Sequence, residues 1–223
     1  MTRNLAALPL ALVLMGMGYG QFQDGHTTAL RKVSVGAGGG FLGNHENISQ
    51  QGLTAFNFPF HADLRVGAHE RVDVGATLFL YAGLVADAKV NLMPPDSDFA
   101  LALRAGIGAA ADIGEPGAWI LHAPLSVIAS YRFLGCLSPY VGLGYGFYWI
   151  FGRPISNPDP TATYADRKGH GDGVLRITAG LEWVIAGRVA ILIEYSFLPA
   201  VVDDPGDNYS FGDNHMVGLA ARF

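Results

Sequence analysis

Cysteine is nearly absent from this chain. Cys136 stands alone among 223 residues, so no intramolecular disulfide can form and no cysteine-rich metal site exists. It cannot carry a lipid anchor either, because a bacterial lipoprotein needs its cysteine at the signal cleavage point and residues 15–25 have none. Charge is scarce too: Asp, Glu, Lys and Arg make up 15% of the chain, against about 25% in ordinary soluble domains. The formal net charge of −5 gives no basic excess to invite nucleic acid. Helix-like apolar runs are missing beyond the N-terminus. The longest other uncharged stretch, Phe133 to Gly152, sets Val141, Leu143, Tyr145, Phe147 and Trp149 against Gly142, Gly144, Gly146 and Tyr148. That is a period of two, and with Pro139 and three alternating glycines it reads as a strand rather than a membrane helix. What the chain does have is glycine, 30 residues or roughly twice the usual share of about 7%, and a mean hydropathy of +0.28. Together these exclude a disordered chain, a collagen and a charged cytosolic enzyme.

The N-terminus has the order of a secretory signal. Arg3 precedes an apolar run from Leu5 to Met17, and Gly18-Tyr19-Gly20 supplies a small-x-small end. The competing reading, a membrane anchor helix, is short of the roughly 20 apolar residues a span needs and contains Pro9. Residues 1–20 are therefore expected to be a signal peptide cleaved after Gly20. Residues 21–30 would follow as a periplasmic segment, and 31–223 would form one domain.

Period-two alternation recurs along the rest of the chain and predicts ten strands, near 31–43, 54–66, 71–81, 84–93, 99–113, 119–134, 139–152, 173–185, 188–199 and 214–223. The runner-up is eight, should the short 71–81/84–93 hairpin with its Ala82-Gly83 connection be misread. On the second strand Phe56, Phe58, Phe60, Ala62, Leu64 and Val66 share one face, while Asn57, His61, Asp63 and Arg65 share the other. Nearly all strand charges fall on the polar face.

Alternation alone does not say which face is wet, since a soluble barrel buries its apolar side and a membrane barrel turns it to lipid. Connections after strands one, seven and nine (44–53, 153–172 and 200–213) are long and polar, whereas those after strands two, four, six and eight are tight. Under that topology Trp119, Phe147, Trp149, Tyr195 and Phe197 gather at one rim, and Phe99, Tyr131, Phe133, Tyr140, Trp183 and Phe223 at the other. Two aromatic belts and strands of about ten residues suit a bilayer. The fold class is accordingly all-β, a closed antiparallel transmembrane β-barrel.

The segments Pro139-Tyr140-Val141-Gly142-Leu143-Gly144-Tyr145-Gly146, Thr178-Ala179-Gly180-Leu181-Glu182-Trp183, Ile193-Glu194-Tyr195-Ser196-Phe197 and His215 to Phe223 resemble the last strands of small Gram-negative outer-membrane β-barrel proteins. The resemblance implies the cell outer membrane and its lipids as surroundings. It also implies that Phe223, ending an alternating strand, is an assembly signal read by the barrel assembly machinery. It says little about activity, because pores, adhesins, structural barrels and enzymes share the architecture.

Candidate chemistry is thin. Gly36-Ala37-Gly38-Gly39-Gly40 lacks the Lys-Ser/Thr and the helix of a phosphate loop and reads as lumen-facing strand. Asp213-x-His215 resembles the Asp-His pair of the omptin surface proteases, but Asp203-Asp204 does not supply their second, spaced pair. His122 and Ser126 resemble the His-x-Ser of outer-membrane lipid deacylases at the wrong spacing, which puts both in the lumen. His170 beside Asp172 is an incomplete metal pair. No catalytic residue, metal or cofactor is expected.

The polar face carries more. Alternation points Lys32, Asp63, Arg65, Arg71, Asp73, Asp87, Lys89, Arg104, Arg132, Arg176, Glu182, Glu194 and Arg222 inward. With both signs present, a paired network filling the lumen is expected over an open, mildly anion-preferring channel. The glycines at 142, 144 and 146 should leave free space beside one wall. The functional expectation is a structural or surface-interaction barrel with partners at loops 44–53, 153–172 and 200–213. A small porin-like diffusion channel is the alternative, and an outer-membrane hydrolase a remote third.

Overall fold

The computed structural model describes residues 22–44, 60–79, 83–111, 118–152, 171–199 and 214–223. Ten strands make up most of them: β1 (Val33–Asn44), β2 (Phe60–His69), β3 (Val72–Phe79), β4 (Gly83–Asn91), β5 (Phe99–Ala111), β6 (Ala118–Tyr131), β7 (Leu137–Gly152), β8 (Gly171–Ile185), β9 (Val189–Leu198) and β10 (Asn214–Arg222). Each pairs antiparallel with its chain neighbour, and β1 pairs with β10 to close the ring. The β3–β4 hairpin is real, with Val72 opposite Val90 and Phe79 opposite Gly83, so the count is ten and not eight. Gly83 belongs to β4 rather than to the connection.

Alternation is the organising force. β2 reads exposed-buried from Phe60 to Gly67, and β4 reads buried-exposed throughout its length. The exposed positions are the apolar ones: Ile107, Val141, Leu143, Ile193 and Leu219 are each more than half exposed, while Asp73 and Glu194 are at most 1% exposed. In water this arrangement would be inside out. In a bilayer it is the stable one, because the closed ring satisfies the strand backbone internally and the apolar wall meets hydrocarbon. An even strand count, tight turns at one end and aromatic girdles complete a transmembrane barrel of the outer-membrane type.

Two of the tight turns are built on paired left-handed residues. Leu134-Gly135 (φ 50° and 68°) joins β6 to β7, and Ala186-Gly187 (φ 51° and 68°) joins β8 to β9. That is the two-residue hairpin geometry whose twist matches the strands, with glycine where a side chain is most strained. Both chain ends of the barrel lie at this same end. There Phe223 and Val35 exchange backbone hydrogen bonds of 2.8 and 3.0 Å across the β1–β10 seam.

The girdles follow the expected pattern with one exception. Trp119, Phe147, Trp149 and Tyr195 are exposed toward the end with the long connections, with Phe197 half-buried beside them. Phe99, Tyr131, Phe133, Trp183 and Phe223 are exposed toward the tight turns. Tyr140 does not join them. It is 3% exposed and points inward, as its parity with Gly142 and Gly144 on β7 requires.

The signal peptide, residue 21, the first residues of the second expected strand, the loops 45–53 and 200–213, most of 153–172 and the Asp203, Asp204, Asp213 and His170 candidates lie outside the described residues.

Candidate functional site: the barrel lumen

Inward positions of adjacent strands meet in rows set by register. Asp73 on β3 faces Lys89 on β4, which faces Arg104 on β5. Arg65 on β2 faces Gly75 on β3, and Gly75 faces Asp87 on β4. The glycine in the middle of that row lets the Arg65 guanidinium lie across β3 and reach Asp87 two strands away. Its Nη2 is 2.7 Å from Asp87 Oδ1, and its Nε is 2.9 Å from Asp73 Oδ1. Arg104 donates to the other oxygen of Asp87 at 2.7 Å. Lys89 Nζ lies 3.6 Å from Asp73.

The opposite wall repeats the device. Tyr140 faces Gly180, and Gly180 faces Glu194. The Tyr140 ring crosses the glycine so that its hydroxyl donates to Glu194 Oε2 at 2.8 Å. A Cβ at Gly180 would run into that ring. Ser196 Oγ donates to the second Glu194 oxygen at 3.0 Å, and Arg222 donates to Glu182 at 3.2 Å. Arg176 lies over Gly144, and the His122 ring lies over Gly146. At Gly144 and Gly146 the expected free space beside β7 is therefore not there: both are recesses filled by neighbouring side chains.

Of the thirteen charges read as inward, Asp63, Arg65, Asp73, Asp87, Lys89, Arg104, Glu182 and Glu194 are buried, Arg176 and Arg222 are half-buried, and Arg132 is half-buried just past β6. Lys32 and Arg71 are exposed, since both sit outside the strands, where alternation no longer sets direction. His122 and Ser126 are both buried in the lumen, as their spacing requires. His215 accepts or donates a 2.7 Å hydrogen bond with the Tyr195 hydroxyl, which engages its ring on the outer wall. Among the described residues no cluster of three metal-ligating side chains occurs.

The largest departure from expectation is the N-terminal segment. Residues 21–30 read as a periplasmic stretch ahead of the barrel, yet residues 22–28 run inside it, and Phe22 to His26 are buried. The Phe22 ring stacks on His61 at 4.8 Å and fills the recess over Gly218. Its N–H donates to Glu194 at 2.6 Å, and its carbonyl accepts from Arg222 at 2.6 Å. Lys89 donates to the carbonyls of Asp24 (3.2 Å) and His26 (2.5 Å). The Gly25 N–H donates to Ser130 Oγ at 3.0 Å, and the Thr28 N–H to Asp73 at 3.0 Å. Asp24 pairs with His26 Nδ1 at 2.7 Å. Burial alone would raise the Asp24 pKa, but the His26 hydrogen bond and the Lys89 charge outweigh it and hold the carboxyl below its ordinary value of 3.8.

Gly67 on β2 fixes where the segment enters. A Cβ there would collide with the main chain of Ala29. Without one, Arg31 N–H reaches the Gly67 carbonyl at 2.8 Å, and Gly67 N–H reaches the Lys32 carbonyl at 3.0 Å. The chain therefore turns into the lumen from the end with the tight turns.

No family model and no curated protein matches this chain. Among solved structures it is similar to the N-terminal β-barrel domain of Pseudomonas aeruginosa OprF, at 13% identity over 85% of this chain and 96% of that one, with a TM-score of 0.37. It is similar to Neisserial surface protein A at 10% identity, 85% and 94% coverage and a TM-score of 0.39. It is also similar to the Yersinia pestis outer membrane protein Ail in a phospholipid bilayer nanodisc, at 13% identity, 86% and 100% coverage and a TM-score of 0.37.

Proposed function

We propose that this chain is an integral outer-membrane β-barrel that is closed at rest and has a structural or surface-interaction role. One observation carries the reading: the lumen holds both a paired charge network and a buried peptide segment, which together occupy space that an ion path would need. A ten-stranded barrel is already far narrower than the 16–18-stranded barrels that hold an aqueous channel. Arg65, Asp73, Asp87 and Arg104 bridge four adjacent strands on one side, and Tyr140, Glu194 and Ser196 bridge the other.

Outer-membrane lipids are the partners of the apolar wall, with Trp119, Trp149, Trp183, Tyr195 and Phe197 at its two interfaces. Partners of a surface-interaction role are assigned to the long polar connections of the sequence within 44–53, 153–172 and 200–213. Phe223, at the end of the seam strand, is the group offered to the assembly machinery. Removing it should leave the chain without its heat-modifiable barrel form, and normal amounts of that form would refute the assignment.

Single-channel recording of the refolded, unmodified chain in planar bilayers tests the central reading. A quiet baseline broken by at most rare, brief openings is expected. A large, steady current would overturn it in favour of a small diffusion channel. His122 and Ser126 face the lumen, so that pair does not support attack on lipid.

A further inference from the structure

We infer that residues 22–28 are a displaceable stopper, and that this barrel is a gated pore held shut by its own N-terminal segment. The inference rests on the closed-lumen reading and goes beyond it, because it assigns the closure to an element that can leave.

The wall does not need the segment. β1 pairs with β10 and every other strand with its neighbours, so departure of residues 22–28 breaks no rung of the barrel. The base of the segment is anchored at Gly67, and Arg31, with φ 61°, makes the left-handed bend between the segment and β1. Rotation at such a bend carries the peptide out while its base stays tied.

The charged wall groups that hold the segment each have a second partner within the wall. Lys89 donates to two segment carbonyls and also lies 3.6 Å from Asp73. Asp73 accepts from Thr28 and also from Arg65. Arg222 donates to the Phe22 carbonyl and also to Glu182. Glu194 accepts from the Phe22 N–H and also from Tyr140 and Ser196. When the segment leaves, none of these charges is stranded, and water entering the vacated space replaces the main-chain partners. The vacated path is lined by both signs of charge and by Ser130, which suits small hydrated ions with little charge preference.

The test locks and unlocks the segment in the full chain. Ser130 Oγ lies 3.1 Å from where a Gly25 Cβ would sit, close to the roughly 3 Å between a Cβ and the far sulfur in a relaxed disulfide. Gly25→Cys with Ser130→Cys, in a Cys136→Ser background, is recorded in planar bilayers in potassium chloride, with disulfide formation checked by thiol labelling. Reduced protein should open intermittently, oxidation should silence it, and reductant should restore the openings. Phe22→Ala, which empties the recess over Gly218, provides a second variant that needs no cross-link. It should raise the fraction of time open about tenfold or more, the change that burial of an aromatic ring is worth. Equal recordings before and after oxidation, or a Phe22→Ala protein as quiet as the unmodified chain, would overturn the stopper. A large, steady current from the unmodified chain would instead overturn the closed-lumen reading itself.

Discussion

Replacing Glu194 with alanine removes a carboxylate that serves wall and segment together. Its Oε2 accepts from the Phe22 N–H at 2.6 Å and from the Tyr140 hydroxyl at 2.8 Å, and its Oε1 accepts from Ser196 at 3.0 Å. The residue is 1% exposed, so its three donors have no bulk water to turn to. Hydrogen bonds to a charged group are worth about 1.5–3 kcal/mol each, and leaving their partners buried costs more than the mean bond returns. Some water will enter the space left by the side chain, so the three losses do not simply add. A destabilisation of about 3–5 kcal/mol is expected, the range for breaking a buried ionic group's network from one side. Glu194→Gln keeps the volume and one acceptor oxygen, and should lose roughly half as much. The assay is urea-driven unfolding from phospholipid vesicles, followed by the fluorescence of the interfacial tryptophans. Glu194→Ala within about 1 kcal/mol of the unmodified protein would show that the network does not hold the lumen together.

Three further outcomes follow from the same geometry. Gly180→Ala should cost about 1–3 kcal/mol by pushing a methyl into the Tyr140 ring, and the penalty should vanish in a Tyr140→Ala background, as a double-mutant cycle in the same assay will report. Arg65→Met should cost about 3–5 kcal/mol, because Asp73 and Asp87 lose their shared guanidinium, and Arg65→Lys should recover less than half of that, since an ammonium cannot fork across both. Asp24 is faced by His26, Lys89, Arg222 and Glu182, and its depressed pKa makes the folded state bind its proton less readily than the unfolded chain. Its contribution is therefore complete above about pH 4 and lost as pH falls through the folded-state value, so the stability gap between unmodified protein and Asp24→Asn should close on acidification. A gap that widens below pH 4 would contradict that sign.

Strand count and the split of each strand into two faces were legible from period two, because in a closed barrel each side chain has only two directions to take; connection length and the aromatic belts added which face meets lipid. β4 shows how far this goes: every residue from Gly83 to Asn91 takes the side its parity assigns. The same rule places Tyr140 inward, and grouping it with the aromatic girdle by residue type gave the wrong direction. Lys32 and Arg71 mark where the rule stops, since a turn has no parity. The segment 22–28 had no periodic pattern to betray it. Its sequence reads as a polar loop, and it is held by groups scattered over β2 to β10, a non-local arrangement that no window along the chain contains. The pairing partners were legible only as a list of opposite charges. Which one meets which depends on register, and register on the whole closed ring.

The glycine-centred rows bear on how such a barrel finds its register at all. A slip of one residue between neighbouring strands turns every apolar side chain into the lumen and is rejected at once by lipid. A slip of two residues leaves the apolar face outward, so hydrophobicity is blind to it. The rows are not. A two-residue slip between β7 and β8 would set Tyr140 against Thr178 or Glu182 in place of Gly180, and one between β2 and β3 would set Arg65 against Asp73 or Thr77 in place of Gly75. In either misalignment the long side chain meets another side chain where it needs a gap, and it no longer reaches the acid beyond. Gly75 and Gly180 thus act as proofreading notches that separate the true alignment from its nearest lipid-compatible neighbours.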